Sequence, residues 1–145
     1  MKISTKGRYA LRLMLDLAEH CGDGFVALKD IAERQGISKK YLEQIIPMIN
    51  TPDLLQTNRG FQGGYRLAQP PENYTVGMIL RLTEGSLAPV SCLVHHPNTC
   101  ERAEDCPTLF IWEGLNKVIN EYLDGITLQD IIDKQNESYS NNYVI

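Results

Sequence analysis

Apolar positions along this chain recur with helical rather than strand spacing over most of its 145 residues. Tyr9, Ala10, Leu13, Met14, Leu17 and Ala18 fall three or four positions apart, so they line one side of a helix running from near Thr5 to about His20. Gly22 and Gly24 stop it. Cys21 extends the stripe Ala10, Met14, Leu17 by a further step of four, which predicts a small hydrophobe in the core. After Phe25-Val26-Ala27 a second helix spans Leu28 to Gln35, with Ile31 and Ala32 inward. Gly36-Ile37 makes a turn, and Ser38 is suited to cap a third helix, Lys39 to about Ile49, whose Leu42, Ile45, Ile46 and Ile49 share a face. Two helices joined by a tight glycine-containing turn predict a helix-turn-helix with the second as recognition helix.

The periodicity then changes. Short runs Leu54 to Thr57 and Tyr65 to Leu67 flank Asn58-Arg59-Gly60-Phe61-Gln62-Gly63-Gly64, a glycine-rich turn between two strands, which predicts a wing. The turn lacks the G-x-G-x-x-G spacing of a dinucleotide loop, and no long helix follows it. Pro70-Pro71 marks a break. Thr75 caps a short helix from Val76 to Glu84, closed by Gly85, and residues 86–106 read as a loop. Pro107 suits the first position of a helix running to about Asp124, placing Cys106 at or beside its N-cap. Its Ile111, Leu115, Val118, Ile119 and Tyr122 form an apolar seam that so small a core cannot fully cover, which predicts a second copy of the chain as its cover, with packing inside the chain as the alternative. Thr127 caps a last helix, Leu128 to about Lys134, before a polar tail. The expected architecture is mainly α with a small β-wing. It comprises a winged helix-turn-helix over residues 1–70, a connecting helix and cysteine loop over 71–106, a long dimerisation helix and short terminal helix over 107–134, and a mobile tail over 135–145.

Charge sharpens this reading. The net charge of −4 argues against a nucleic-acid partner, but residues 1–70 hold ten Lys and Arg against seven Asp and Glu, a net of +3. Residues 71–145 hold four against eleven, a net of −7. A basic amino-terminal part on an acidic remainder directs the first part toward phosphate. The outward face of the third helix carries Lys39, Lys40, Tyr41, Glu43 and Gln44, a set able to reach phosphates and base edges, and Arg59 at the wing tip suits a minor groove. No apolar run is long enough for a signal peptide or a membrane span, which predicts a cytoplasmic protein without a membrane partner.

Three cysteines, Cys92, Cys100 and Cys106, fall within fifteen residues of the predicted loop. In a reducing compartment clustered thiols point to metal binding or redox chemistry rather than to disulfides. Spacings of eight and six do not match the CxxC pairs of structural zinc sites, although three cysteines with His95 or His96 would satisfy zinc. An enzyme is poorly supported: His20, His95 and His96 are the only histidines, and the CxxC of a thiol oxidoreductase is absent.

The opening Met1-Lys2-Ile3-Ser4-Thr5-Lys6-Gly7-Arg8-Tyr9-Ala10, the block from Ile31 to Gln44, the wing Arg59-Gly60-x-x-Gly63-Gly64-Tyr65-Arg66-Leu67-Ala68, and Thr75-Val76 with Glu84-Gly85 together resemble the Rrf2 family of bacterial winged-helix repressors. The resemblance spans nearly the whole chain. It implies a homodimer that places two recognition helices in successive major grooves and two wings in the flanking minor grooves. The operator would then be a pseudo-palindrome in double-stranded DNA with half-sites roughly one helical turn apart. It further implies DNA contacts from Ser38, Lys40, Tyr41, Glu43 and Arg59, with Thr5 and Lys6 near the backbone. Glu43 would accept from cytosine or exclude wrong sequences.

Cysteines after the Glu-Gly element are similar to those that hold an iron–sulfur cluster in IscR-like and NsrR-like members, whereas CymR-like members lack them. The resemblance thus implies an iron–sulfur cluster on Cys92, Cys100 and Cys106, 2Fe–2S ahead of 4Fe–4S. It would control repression of cluster-assembly genes or of related iron, cysteine or stress genes. A zinc-bound or thiol-sensing regulator of the same fold is the alternative, and a thiol redox enzyme ranks below both. Two departures stand out. The histidine that IscR-like members carry three residues after the third cysteine is Leu109 here, and the acidic residue of NsrR-like members near the start of the first helix is Arg8. The fourth ligand is open among His95, His96, Glu101, Asp105 and a residue of a partner chain. Relatives usually carry a basic residue and an Ala-Gly turn where this chain has Asn50-Thr51-Pro52-Asp53-Leu54-Leu55, which implies weaker phosphate contacts there.

Overall fold

Hydroxyl caps open three of the helices. In the computed structural model, which describes residues 2–142, Ser4, Ser38 and Thr75 each accept a hydrogen bond of 3.1 Å from the backbone N–H three residues on. They open α1 (Thr5–Glu19), α3 (Lys39–Ile49) and α4 (Val76–Glu84). Between α1 and α3 lies α2 (Leu28–Gln35). It ends at Gly36, whose φ of +63° lets Ile37 N–H reach back to the Ala32 carbonyl at 3.1 Å and so turns the chain into α3. Strands β1 (Leu55–Asn58) and β2 (Gly64–Leu67) pair antiparallel, with Leu55 opposite Leu67 and Asn58 opposite Gly64. The winged helix-turn-helix expected from periodicity is therefore present, mainly α with one two-stranded wing.

The main core sits under the helix-turn-helix. Leu13 and Met14 of α1 meet Ile31 of α2 and Leu42, Ile45 and Ile49 of α3, all fully buried. One charge is buried with them: the Asp16 carboxylate, 1% exposed, accepts from Arg34 Nη2 at 2.7 Å, Arg34 Nε at 3.0 Å and Gln35 Nε2 at 2.9 Å. This bidentate pair satisfies a buried carboxylate and fixes α2 on α1. Below the wing, buried Tyr74 donates to the Leu54 carbonyl at 2.7 Å and accepts from Gln69 N–H at 3.0 Å, tying the exit of the wing to the start of α4.

The carboxy-terminal part is built differently. Helix α5 (Leu109–Asp124) has no buried residue, and Phe110, Ile111, Leu115, Val118 and Tyr122 are exposed. Ile119 departs from the expected seam. With Leu123 and Ile126 it packs on Val76, Leu80 and Leu87, because this side of α5 rests on α4. Arg81 of α4 clamps the contact by donating to Asp124 at 2.7 and 2.8 Å and to Asn120 at 2.6 Å. Asp124 is thereby held below the usual carboxylate range. Helix α6 (Leu128–Asn142) returns to the amino-terminal part, where Leu128 is fully buried and Ile131 and Ile132 pack on the main core.

Three expectations are corrected. The last helix does not stop at Lys134 before a tail: α6 continues to Asn142, its far half polar because it faces solvent, with bonds such as Ser138 Oγ to the Lys134 carbonyl at 3.2 Å. The final residues of the expected tail, 143–145, lie outside the described residues, as does Met1. Helix α5 opens at Leu109 rather than Pro107, with Thr108 in the cap position, so Cys106 precedes the helix instead of capping it. Cys21 is exposed, not core. Because α1 ends at Glu19 and His20 is its C-cap, the next residue has already left the helical stripe.

Candidate nucleic-acid interface and cysteine loop

The face expected to meet DNA is formed by α3 and the wing, with the start of α2 beside them. Lys39, Glu43, Asn50, Asn58, Arg59 and Phe61 line one open groove of about 660 Å³ between them. The wing is held at its base by a third segment, since Val26 N–H donates to the Tyr65 carbonyl at 2.8 Å and Tyr65 N–H donates back at 2.9 Å. Gly64 permits this approach, because a β-carbon there would collide with the Val26 carbonyl. Arg66 adds to the anchor, lying over the Phe25 ring at 4.3 Å and donating to Gln56 at 2.7 Å.

The sequence-predicted contacts separate into groups. Lys39, Glu43 and Arg59 share the groove, and Lys39 Nζ lies 3.8 Å from Glu43 Oε1, so the carboxylate on this face has a cation beside it. Lys40 and Gln44 are exposed on the same helix. Tyr41 is half-buried, its ring edge-on to Tyr9 at 5.5 Å, which leaves it tied to the core. The oxygen of Ser38 is engaged as the cap of α3. Thr5 opens α1 and accepts from Arg8 Nη2 at 3.3 Å, while Lys6 is half-buried beside it. Asn58 and Phe61 are groove residues that sequence reasoning passed over. An aromatic side chain set among wing glycines was the available signal.

The cysteine loop joins α4 to α5. Its only regular element among the described residues is one 3-10 turn, Ser91–Leu93. All three thiols are free: Cys92 and Cys106 are half-buried and Cys100 is exposed. Cys100 N–H donates to Asn98 Oδ1 at 2.8 Å. The amide nitrogen of that same Asn98 is buried without an acceptor. Hydrogen bonds from the Thr108 hydroxyl and from the Thr108 and Leu109 N–H groups hold the Cys106 thiol below its ordinary range, with Arg102 adding a favourable charge. No group of three or more His, Cys, Asp or Glu side chains converges on a metal position among the described residues. His95 lines a cavity of about 470 Å³ with Arg81, Asn116 and Asn120. His96, Glu101 and Asp105 are exposed on the loop. The donor chemistry nonetheless fits an iron–sulfur group, with three soft thiols on one short loop, one disposed to be thiolate and an amide N–H in want of an acceptor.

The winged helix-turn-helix is shared with known proteins. Residues 3–134 match the family described as Rrf2, iron-dependent transcriptional regulator. The transcriptional regulator IscR of Aliivibrio salmonicida is 40% identical over 132 residues, covering 91% of this chain and 77% of its own length. Among solved structures, IscR of T. potens superposes with a TM-score of 0.75 at 43% identity, over 95% of this chain and 90% of its own. CymR of B. subtilis, described as the global cysteine regulator, superposes with a TM-score of 0.75 at 36% identity, over 92% of this chain and 98% of its own. No helix among the described residues is long and apolar enough to cross a membrane.

Proposed function

The chain belongs to the Rrf2 family of transcriptional regulators, and from that premise we propose that it is a cytoplasmic, homodimeric repressor whose operator binding is set by an iron–sulfur cluster on Cys92, Cys100 and Cys106. One observation carries the reading: a loop bearing three free thiols joins α4, which is packed on the winged head, to α5, whose apolar face has no cover among the described residues. The likeness to two IscR proteins supports the cluster in preference to zinc. When bound, an iron–sulfur group supplies a reversible redox centre whose ligation is sensitive to oxidants and to metal supply.

The chain's own residues account for the coupling. At the end of α4, Glu84 Oε1 accepts from Ser4 N–H at 3.0 Å and from Ser4 Oγ at 2.5 Å, so the start of the cysteine loop is tied to the cap of α1. On the other side, the Arg81 clamp ties α4 to α5. Closing the loop around a ligand therefore biases the angle between head and dimer helix, by as much as the ligand's affinity differs between the two arrangements. With α5 paired to its copy, two α3 helices face successive major grooves of a pseudo-palindromic operator and Arg59 enters the flanking minor grooves. Lys39, Lys40, Gln44, Glu43, Tyr41 and Ser38 supply the contacts on each head, with Thr5 and Lys6 on the backbone. Pairing with Lys39 lowers the repulsion that Glu43 would otherwise offer to phosphate.

A second reading is favoured by the separation of the thiols and by the likeness to CymR: a thiol-sensing or zinc-bound regulator of the same fold. Anaerobic purification decides between them. The first reading expects brown protein with visible absorption, iron and acid-labile sulfide, all lost when Cys92, Cys100 and Cys106 are changed to alanine. Colourless protein that binds zinc or no metal after anaerobic reconstitution would transfer the function to the second.

A further inference from the structure

We propose that Phe61 reads the shape of the operator, its ring packing against the deoxyribose wall of the minor groove beside Arg59. The inference rests on the DNA-binding reading above. The side chain is 104% exposed, more than any other large apolar residue described. It also stands apart from the rest. The remaining exposed large apolar side chains, from Met78 and Leu82 through Val94 to the face of α5 and Tyr139, all follow residue 70. Phe61 is thus the only one on the winged head among the described residues, and it does not belong to the seam that a second copy would cover.

The ring is presented by a built turn. Gly63 N–H donates to the Gly60 carbonyl at 3.0 Å, Asn58 pairs with Gly64, and Tyr65 exchanges two hydrogen bonds with Val26. A β-carbon at Gly63 would press on the Asn58 and Gly60 carbonyls, so glycine there allows the close turn from which the phenyl ring projects. Apolar surface left in water gains nothing for the fold. Around it Lys29, Lys39 and Arg59 stand against the carboxylates of Asp30 and Glu43, with Asn50 and Asn58 beside them, a polar set of net positive charge that suits a polyanion rather than an apolar protein face. A minor groove offers both complements at once: an electronegative floor for the guanidinium of Arg59, and C–H-rich sugar walls for a ring two residues away.

The two side chains should leave different signatures. Arginine contributes through the phosphate field, so Arg59→Ala lowers affinity and reduces the slope of log K against log salt by about one. Phe61→Ala instead costs about tenfold in affinity with the slope unchanged, as expected for lost apolar burial. The experiment selects a site from a random duplex pool with the wild-type full-length dimer. It then titrates that site at several salt concentrations with wild type, Arg59→Ala, Phe61→Ala and Phe61→Leu, with urea midpoints to confirm unchanged folding. The proposal expects Phe61→Leu to keep most of the affinity, and the alanine loss to be larger on A·T-rich than on G·C-rich flanks, where the groove is wider. Equal affinity of Phe61→Ala and wild type overturns it, as does an alanine loss that comes with a changed salt slope. A change in self-association without a change in affinity also overturns it, and assigns the ring to contact between dimers. Failure of wild type to select any site would instead sink the DNA-binding reading itself.

Discussion

Two arginine–aspartate clamps hold this molecule, and they sit in opposite environments. Arg34 meets Asp16 under the helix-turn-helix, where the carboxylate is 1% exposed. Arg81 meets Asp124 between α4 and α5, where the two side chains are 35% and 45% exposed. Their geometry is alike, bidentate at 2.7–3.0 Å. The second closes a smaller cluster of Val76, Leu80 and Leu87, the first the main core. Around it Leu13, Ile31, Leu42, Ile45 and Ile49 are fully buried, whereas α5 buries no residue. The main core also takes Ile79 of α4 and Leu128 of α6, while α5 presents an exposed apolar face and the cysteine loop three free thiols. In the proposed function the first region reads DNA and the second is the joint whose setting follows what the cysteine loop binds.

The comparison breaks most visibly on the face of α5. Val118, 62% exposed, contributes nothing to the fold of one chain but lies mid-seam. Val118→Asp should therefore give a monomer by sedimentation with its helix content intact. Operator affinity should fall by about a hundredfold or more, because the second head is no longer tethered. A dimer that survives the substitution would place the interface elsewhere.

The clamps offer the next contrast. Arg34→Ala strands a buried carboxylate and should cost about 3 kcal/mol in urea unfolding. Arg81→Ala removes an exposed pair and should cost under about 1 kcal/mol, less at high salt. Acid separates them further. The pKa of Asp124 is depressed by Arg81, so the stability it contributes is present above its unfolded value and fades as pH falls through the folded one. That fading should vanish in Arg81→Ala. Equal losses from the two substitutions would erase the distinction between reader and joint.

The smallest effect lies in the loop. With its thiol held low by Thr108, Cys106 should react with iodoacetamide a few-fold faster than Cys100 near neutral pH, and slow as pH falls through the lowered value. Thr108→Val should remove most of the difference. Equal rates in the unsubstituted protein would mean that nothing marks Cys106 in the absence of metal.

How far the sequence discloses each region follows the same divide. The head is legible because its signals are local: Ser38 and Thr75 cap their helices, Gly36 turns the chain, and the inward residues of α3 are the ones that periodicity selects. The joint is less so. Pro107 looks like a helix start, yet Thr108 takes the cap position and Leu109 opens the helix. The polar composition after Lys134 looks like a tail because a solvent-facing helix and a loop share it. Cys21 looks buried only while the helical count continues, and the helix ends two residues before it. The cysteines are close in sequence, but proximity along a loop does not specify convergence, and no group of three metal-binding side chains comes together among the described residues. Phe61 escaped notice for a different reason: its exposure is a fact of the turn, not of the residue.

Operator affinity measured at one salt concentration, for anaerobically reconstituted and metal-free protein on the same selected duplex, tests the account most directly. Control of the heads through the cysteine loop predicts dissociation constants that differ by about tenfold or more, with a dimer in both states. Equal constants with a verified cluster would mean that the loop does not govern the reader.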